Sequence, residues 1–202
     1  IGSDKGSFIK PGFDPLAEQT STNAYLLYAW GQNTSGQLGD GTTTQRNSPV
    51  QVGALSGWDK VAGAVAHTLA TKTDGTLWAW GNNASGQLGT SNTTNYSSPV
   101  QVGALTTWEK VAGLADGSYA IKTDGTLWSW GYNSLGQLGQ GNTTSYSSPV
   151  QVGALTTWSK VAATLYSGVA LKTDGTLWTW GYNNYGQLGT GNTTNYSSPV
   201  QV

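Results

Sequence analysis

The sequence predicts an all-β protein, a β-propeller built from four-stranded blades of roughly 50 residues, and three observations carry that prediction. Gly75-Thr76-Leu77-Trp78-Ala79-Trp80-Gly81 returns in near-copy at Gly125 and Gly175, a period of 50 with no insertion or deletion. Ser-Pro-Val-Gln-Val keeps the same spacing at Ser48, Ser98, Ser148 and Ser198, and Gly-Gln-Leu-Gly does so at Gly36, Gly86, Gly136 and Gly186. A fixed period of this length signals a solenoid, propeller or array. Finally, no stretch long enough for a helix shows the 3.6-residue apolar period, so helices are at most minor.

Each unit reads as four short strands. In the unit from residue 53 they are Trp58 to Ala62, Leu69 to Lys72, Thr76 to Trp80 and Pro99 to Val102. Thr73-Asp74-Gly75 joins the second to the third, because Asp-Gly supplies the positive φ of a tight hairpin turn. On the third strand Trp78 and Trp80 share one face and Leu77 and Ala79 the other. Apolar residues on both faces suit blades that pack against a neighbour on each side. A leucine-rich solenoid needs a shorter repeat with a Leu ladder, a kelch unit has a Gly-Gly doublet, and the single Trp58-Asp59 pair does not recur. The Trp residues fall at repeated strand positions and are read as blade packing.

The string Lys-Thr-Asp-Gly-Thr-Leu-Trp-x-Trp-Gly-x-Asn-x-x-Gly-Gln-Leu-Gly resembles the repeat of the regulator of chromosome condensation (RCC1) family, in the low-charge form of bacterial and phage proteins. It spans residues 24–202, and the resemblance implies a seven-bladed ring. The repeats supply 14 strands, about 3.5 blades: a partial unit over 24–52, then units over 53–102, 103–152 and 153–202. Residues 1–23 stand outside the repeat, as a linker or as an arm that docks on a neighbouring subunit. With no Met in the chain, the expectation is a processed product or a piece of a longer protein whose blades continue.

Composition narrows function by exclusion. Charged residues make up 9%, against about 25% in an ordinary domain. Lys plus Arg is 9 and Asp plus Glu is 10, a net of −1, which argues against the clustered cations of a nucleic-acid footprint. No apolar run reaches the length of a membrane-spanning helix. Zero Cys removes disulfides, thiol chemistry and Cys-based zinc sites. His67 stands without a set of converging ligands, so it reads as structural rather than metal-binding. Asp74, Asp124 and Asp174 read as turn residues beside Lys72, Lys122 and Lys172. The other acids of the repeats, Asp40, Asp59, Glu109 and Asp116, are scattered, and paired carboxylates for acid–base work are not evident. The expectation is therefore no enzyme, no metal and no cofactor.

The candidate site comes from where the repeats disagree. Between first and second strands the units read Ala64-Val65-Ala66-His67-Thr68, Leu114-Ala115-Asp116-Gly117-Ser118 and Thr164-Leu165-Tyr166-Ser167-Gly168. After the third strand the variable positions are Gln32, Asn82, Tyr132 and Tyr182, then Ser35, Ser85, Leu135 and Tyr185. In an up-and-down meander both loops emerge on one face of the disc. That face is predicted to bind, through Val65, Ala66, His67, Ala115, Asp116, Gly117, Leu165, Tyr166, Ser167, Tyr132, Leu135, Tyr182 and Tyr185. The predicted role is a non-enzymatic binding or structural propeller outside the cell or on a virus particle, recognising a protein or a glycan. The family resemblance also admits a secreted protein-binding inhibitor. It further admits guanine-nucleotide exchange with chromatin binding, which the single Arg and the absence of a basic tail disfavour.

Overall fold

The computed structural model describes residues 25–202, so the predicted arm over 1–23 lies outside the described residues. Fourteen strands follow in chain order: β1 (Tyr28–Gly31), β2 (Arg46–Gln51), β3 (Trp58–Gly63), β4 (His67–Lys72), β5 (Leu77–Gly81), β6 (Tyr96–Gln101), β7 (Trp108–Gly113), β8 (Gly117–Lys122), β9 (Leu127–Gly131), β10 (Tyr146–Gln151), β11 (Trp158–Ala163), β12 (Ser167–Lys172), β13 (Leu177–Gly181) and β14 (Tyr196–Gln201). They form three antiparallel meanders, β3–β6, β7–β10 and β11–β14, preceded by the two-stranded sheet β1–β2. These sheets are called the first, second and third blades and the half-blade.

The innermost strands are the first of each blade, since β3 packs on β7 and β7 on β11. All four strands of the unit shift from the expected bounds, the first and third by one residue and the second and fourth by more. The second strand begins at His67, whose partner is Gly81. The fourth begins at Tyr96, which pairs with Gly81 across an irregularity that a simple alternation of residues does not reveal.

Both faces of the first and second blades are buried, as the alternation on the third strand predicts, whereas the third blade buries one face and leaves Leu177 exposed on the other. Trp80, Ala70 and Trp58 pack with Val52 of the half-blade. From the other face Leu69, Leu77 and Ala79 pack with Trp108, Ala120 and Trp130 of the second blade. Burying a large aromatic ring in this way contributes about 2–3 kcal/mol each. Trp30 departs from the expectation of blade packing. It is 62% exposed, because the half-blade has only two strands and no preceding blade covers that face among the described residues.

The repeated motifs fasten neighbouring units. The carbonyl of Gln37 in Gly-Gln-Leu-Gly accepts hydrogen bonds from Trp80 Nε1 at 3.0 Å and Thr68 Oγ1 at 2.9 Å in the next blade. Gln87 does the same for Trp130 Nε1 at 2.9 Å and Ser118 Oγ at 2.7 Å. The amide of the motif's Asn, such as Asn83, donates to the carbonyls of Asn92 and Thr94 at 3.1 and 3.0 Å. That staple folds the long loop after the third strand back on itself.

The Asp-Gly hairpins behave as predicted. Gly75 has φ +76°, and Asp74 Oδ1 accepts from Thr76 N and Oγ1 at 3.0 and 2.6 Å. Those bonds hold the Asp74 carboxyl below its ordinary range. Lys122 closes the equivalent turn with its ammonium 3.7 Å from the centroid of Trp128, a cation–π contact.

Candidate functional site: a rim of variable tips

The two dissimilar loops of each blade meet. Asn82 N donates to Ala66 O at 2.8 Å, Tyr132 N to Asp116 O at 2.8 Å and Tyr182 N to Tyr166 O at 3.0 Å. The opposite face holds the turns that barely change, where Thr73 N donates to Gly57 O at 2.8 Å and Thr123 N to Thr107 O at 2.9 Å. One edge of the arc is therefore diversified and the other is uniform. Adjacent tips also touch along the variable rim, with Ala115 N donating to Leu165 O at 3.2 Å.

The thirteen predicted rim residues divide by exposure. Val65, Leu165, Tyr166, Tyr132 and Tyr185 face solvent, Tyr185 at 86%. Ala66, Asp116, Leu135 and Tyr182 are half-buried. His67, Ala115, Gly117 and Ser167 are buried and do not present a side chain to a ligand. The reason is their place at the edge of the sheet: His67, Gly117 and Ser167 open the second strand and sit under the loop after the third. Ser167 Oγ donates to Tyr182 O at 2.8 Å, so its polarity is already used. At Gly117 a Cβ would stand 3.1 Å from both Leu114 Cδ1 and Trp130 O.

The tips of the third blade, with one residue of the second, enclose a cleft of about 640 Å3. Leu135, Leu165, Tyr166, Tyr182 and Tyr185 form its apolar walls, and Thr164 and Gln187 complete them. Tyr182 stacks edge-on against Tyr166 at 6.5 Å between centroids and against Tyr185 at 6.1 Å, so the three rings brace one another. No charged side chain lines the cleft. Gln187 was missed in the sequence because it belongs to the invariant Gly-Gln-Leu-Gly motif. Its counterparts Gln87 and Gln137 are buried, at 0% and 2%, each under the blade that follows, whereas Gln187 belongs to the last blade among the described residues and is exposed because no further blade covers it there.

The same rim is polar at the junction of the first and second blades. Gln87 Nε2 donates to Asn82 Oδ1 at 3.2 Å and to Asp116 Oδ1 at 3.4 Å. Beneath lies a Ser–His contact, His67 Nε2 to Ser118 Oγ at 3.0 Å. It does not form a nucleophile and base. Ser118 is fully buried, and its single proton is committed to Gln87 O at 2.7 Å, so the serine oxygen accepts from His67 Nε2–H. No group of three or more His, Cys, Asp and Glu side chains converges among the described residues. No helix among them is long and apolar enough to cross a membrane.

The family described as the regulator of chromosome condensation (RCC1) repeat matches residues 26–71, 74–121, 124–171 and 174–202, most of the chain. The chain belongs to the RCC1 repeat family. Each RCC1 match is set half a blade from the sheets: 74–121 takes β5 and β6 of one blade and β7 and β8 of the next, so one repeat bridges two blades. Human WBSCR16 superposes with a TM-score of 0.79 at 26% identity, covering 88% of this chain and 48% of that one. Prp20p of Saccharomyces cerevisiae, whose structure was described with its binding to Gsp1p and histones, gives 0.78 at 21% identity over 88% and 46%. The human E3 ubiquitin-protein ligase HERC2 is 51% identical over 49 residues, 23% of this chain and 1% of that protein. The chain thus spans about half the length of the solved RCC1-like structures it matches.

Proposed function

We propose that this chain is a non-enzymatic recognition propeller that binds a protein partner through its variable rim, with the third-blade cleft receiving the apolar side chains of an uncharged segment. The observation that carries this reading is the cleft itself. It is built from the stretches in which near-identical repeats differ, and its walls are Leu135, Leu165, Tyr166, Tyr182 and Tyr185. Rings that brace one another lose little freedom on binding, which favours tyrosine in recognition surfaces.

A protein segment fits better than a sugar. Sugars need many hydrogen-bonding groups around a stacking ring, and here Ser167 Oγ is occupied and Gln187 Oε1 already accepts from Tyr185 N at 3.0 Å. A glycan is the second reading, favoured by the flat, 86% exposed ring of Tyr185. The proposed setting is outside the cell or on a virus particle, supported by the low charge, the absence of Cys and the near-identity of the repeats. Guanine-nucleotide exchange finds little support. The single Arg, Arg46, is paired with Asp40 at 2.6 Å, and Lys122 and Lys172 lie over Trp rings at the uniform face.

The test sets a displayed library of random peptides beside a glycan array, each probed with the wild-type chain and with Tyr166→Ser and Tyr185→Ser. The expected outcome is enrichment of neutral peptides rich in Leu, Pro or aromatic residues, lost in both variants while the unfolding midpoint stays put. Enrichment of charged peptides, or neutral-peptide binding that survives both substitutions, would overturn the assignment. Glycan binding lost in the same variants would move the site to the second reading.

A further inference from the structure

The first and second blades are joined through the one histidine of the chain, and the chemistry of that joint differs from the others. His67 is 1% exposed and lies at the base of the tip carrying Val65 and Ala66. Its Nε2–H donates across the blade boundary to Ser118 Oγ at 3.0 Å, and Ser118 passes a hydrogen bond on to Gln87 O at 2.7 Å. This fixes the neutral tautomer, and Nδ1 is left as a buried acceptor with no partner. An open groove of about 360 Å3 between the half-blade and the first blade, lined by Trp30, Val65, Thr68 and His67 itself, borders the ring.

We infer that His67 is an acid-sensitive latch: a second proton, taken up at Nδ1, releases the contact between the first and second blades and loosens the rim tips at 64–68 and 114–118. The proton would place a full charge in a site built for a neutral ring. The charged groups on the packed elements do little to hold it. Lys72 and Lys122 end β4 and β8 at the far face, Asp59, Lys60, Glu109 and Lys110 lie along β3 and β7, and β5 carries no charge. Asp40 is committed to Arg46. The nearest tip carboxylate, Asp116, is engaged by the Gln87 amide. Burial pushes His67 down to about 4, with the Gly117 backbone opposing the shift, in keeping with the geometry. The third blade has Ser167 at the same position and no titrating group there, so it is a control inside the same molecule. Only the consequence for ligand release rests on the recognition reading above; the latch is tested without any ligand.

Because the chain has one histidine, its two carbon-bound imidazole protons give one assignable pair of NMR signals, of which Hε1 is followed. On titration from pH 7.5 to 3.5 that signal is expected to stay neutral through pH 6 and to titrate well below the ordinary histidine value. In parallel, hydrogen exchange corrected for intrinsic rates is followed at segments 64–68, 114–118 and 164–168. Between pH 7 and 4.5 the first two should lose protection, on the order of tenfold or more, while the third keeps it. In His67→Gln, whose amide supplies the Nε2 donor without a titrating group, the difference between tips should vanish. An ordinary histidine titration, equal loss of protection at all three tips, or the same pH response in His67→Gln would overturn the latch. If His67→Gln does not fold, the wild-type signal and the comparison of the three tips decide.

Discussion

The junction between the first and second blades and that between the second and third begin from almost the same sequence and are closed differently. At the first, His67, Ser118 and Gln87 O form a polar chain under a rim of Asn82, Gln87 and Asp116. At the second, the residue aligned with Ser118 is Gly168, where a Cβ would collide with the ring of Trp180. The hydroxyl to Gln137 O comes instead from Tyr119, which also accepts from Trp180 Nε1 at 3.0 Å. Above it the rim is tyrosine and leucine. The lesson is that the scaffold requires a donor to each Gln carbonyl but does not dictate which strand supplies it. Chemistry at the tips can therefore diverge while the blades keep one spacing.

The sharpest way to break this comparison is at the three aligned positions 68, 118 and 168. Gly168→Val should cost about 3 kcal/mol or more in urea unfolding, since the side chain overlaps the Trp180 indole and the core cannot yield freely. A loss below about 1 kcal/mol would show that the second junction is looser than drawn.

Acid comes next. His67 is neutral when folded, and the value of about 4 lies below the ordinary 6.5, so the unfolded chain binds the extra proton first. Its contribution is complete above pH 6.5 and falls as pH drops toward 4, by an amount of about 3 kcal/mol in all. Urea midpoints measured from pH 7 to 4 on wild type and His67→Gln separate this term from the carboxylates, which both proteins share.

Smaller still is a contrast between hairpins. Gly75 and Gly175 have similar φ, +76° and +84°, but a Cβ at Gly75 would meet Thr106 O in the connection to the next blade, whereas no connection follows the third blade among the described residues and a Cβ at Gly175 meets nothing within 4 Å. Gly175→Ala should lose about 1 kcal/mol, from the left-handed backbone alone, and Gly75→Ala clearly more. Equal losses would mean the turn does not pack on the neighbouring connection. At the bottom of the scale, Thr68→Val deletes one hydrogen bond to Gln37 O with little change of shape, an expected loss of about 1 kcal/mol.

Much of the fold was legible because the repeat prints it many times over. Asp74-Gly75 announced the hairpin, and Trp78 and Trp80 against Leu77 and Ala79 announced two buried faces. The variable rim was legible too, since alternation of strand direction sends both dissimilar loops to one edge. Less legible was which rim residues face out. His67 and Ser167 look like tip residues in sequence, but the loop after the third strand folds over them, held by the Asn83 and Asn183 staples. Gln187 belongs to the repeated motif like the buried Gln87 and Gln137, and it lines the cleft because no blade follows the third among the described residues.

What the sequence determined alone was local and periodic: strand order, turn type, the 50-residue spacing and the face to which each loop belongs. These follow from residue alternation and φ preferences, which act over a few residues. Only the tertiary structure decided the pairing of His67 with Ser118, the substitution of Tyr119 for an absent hydroxyl at Gly168, and the closing of three tyrosines with two leucines into one cleft. Those contacts join residues from different blades or different loops. Their energies depend on how sheets splay around a shared axis, which no single repeat encodes.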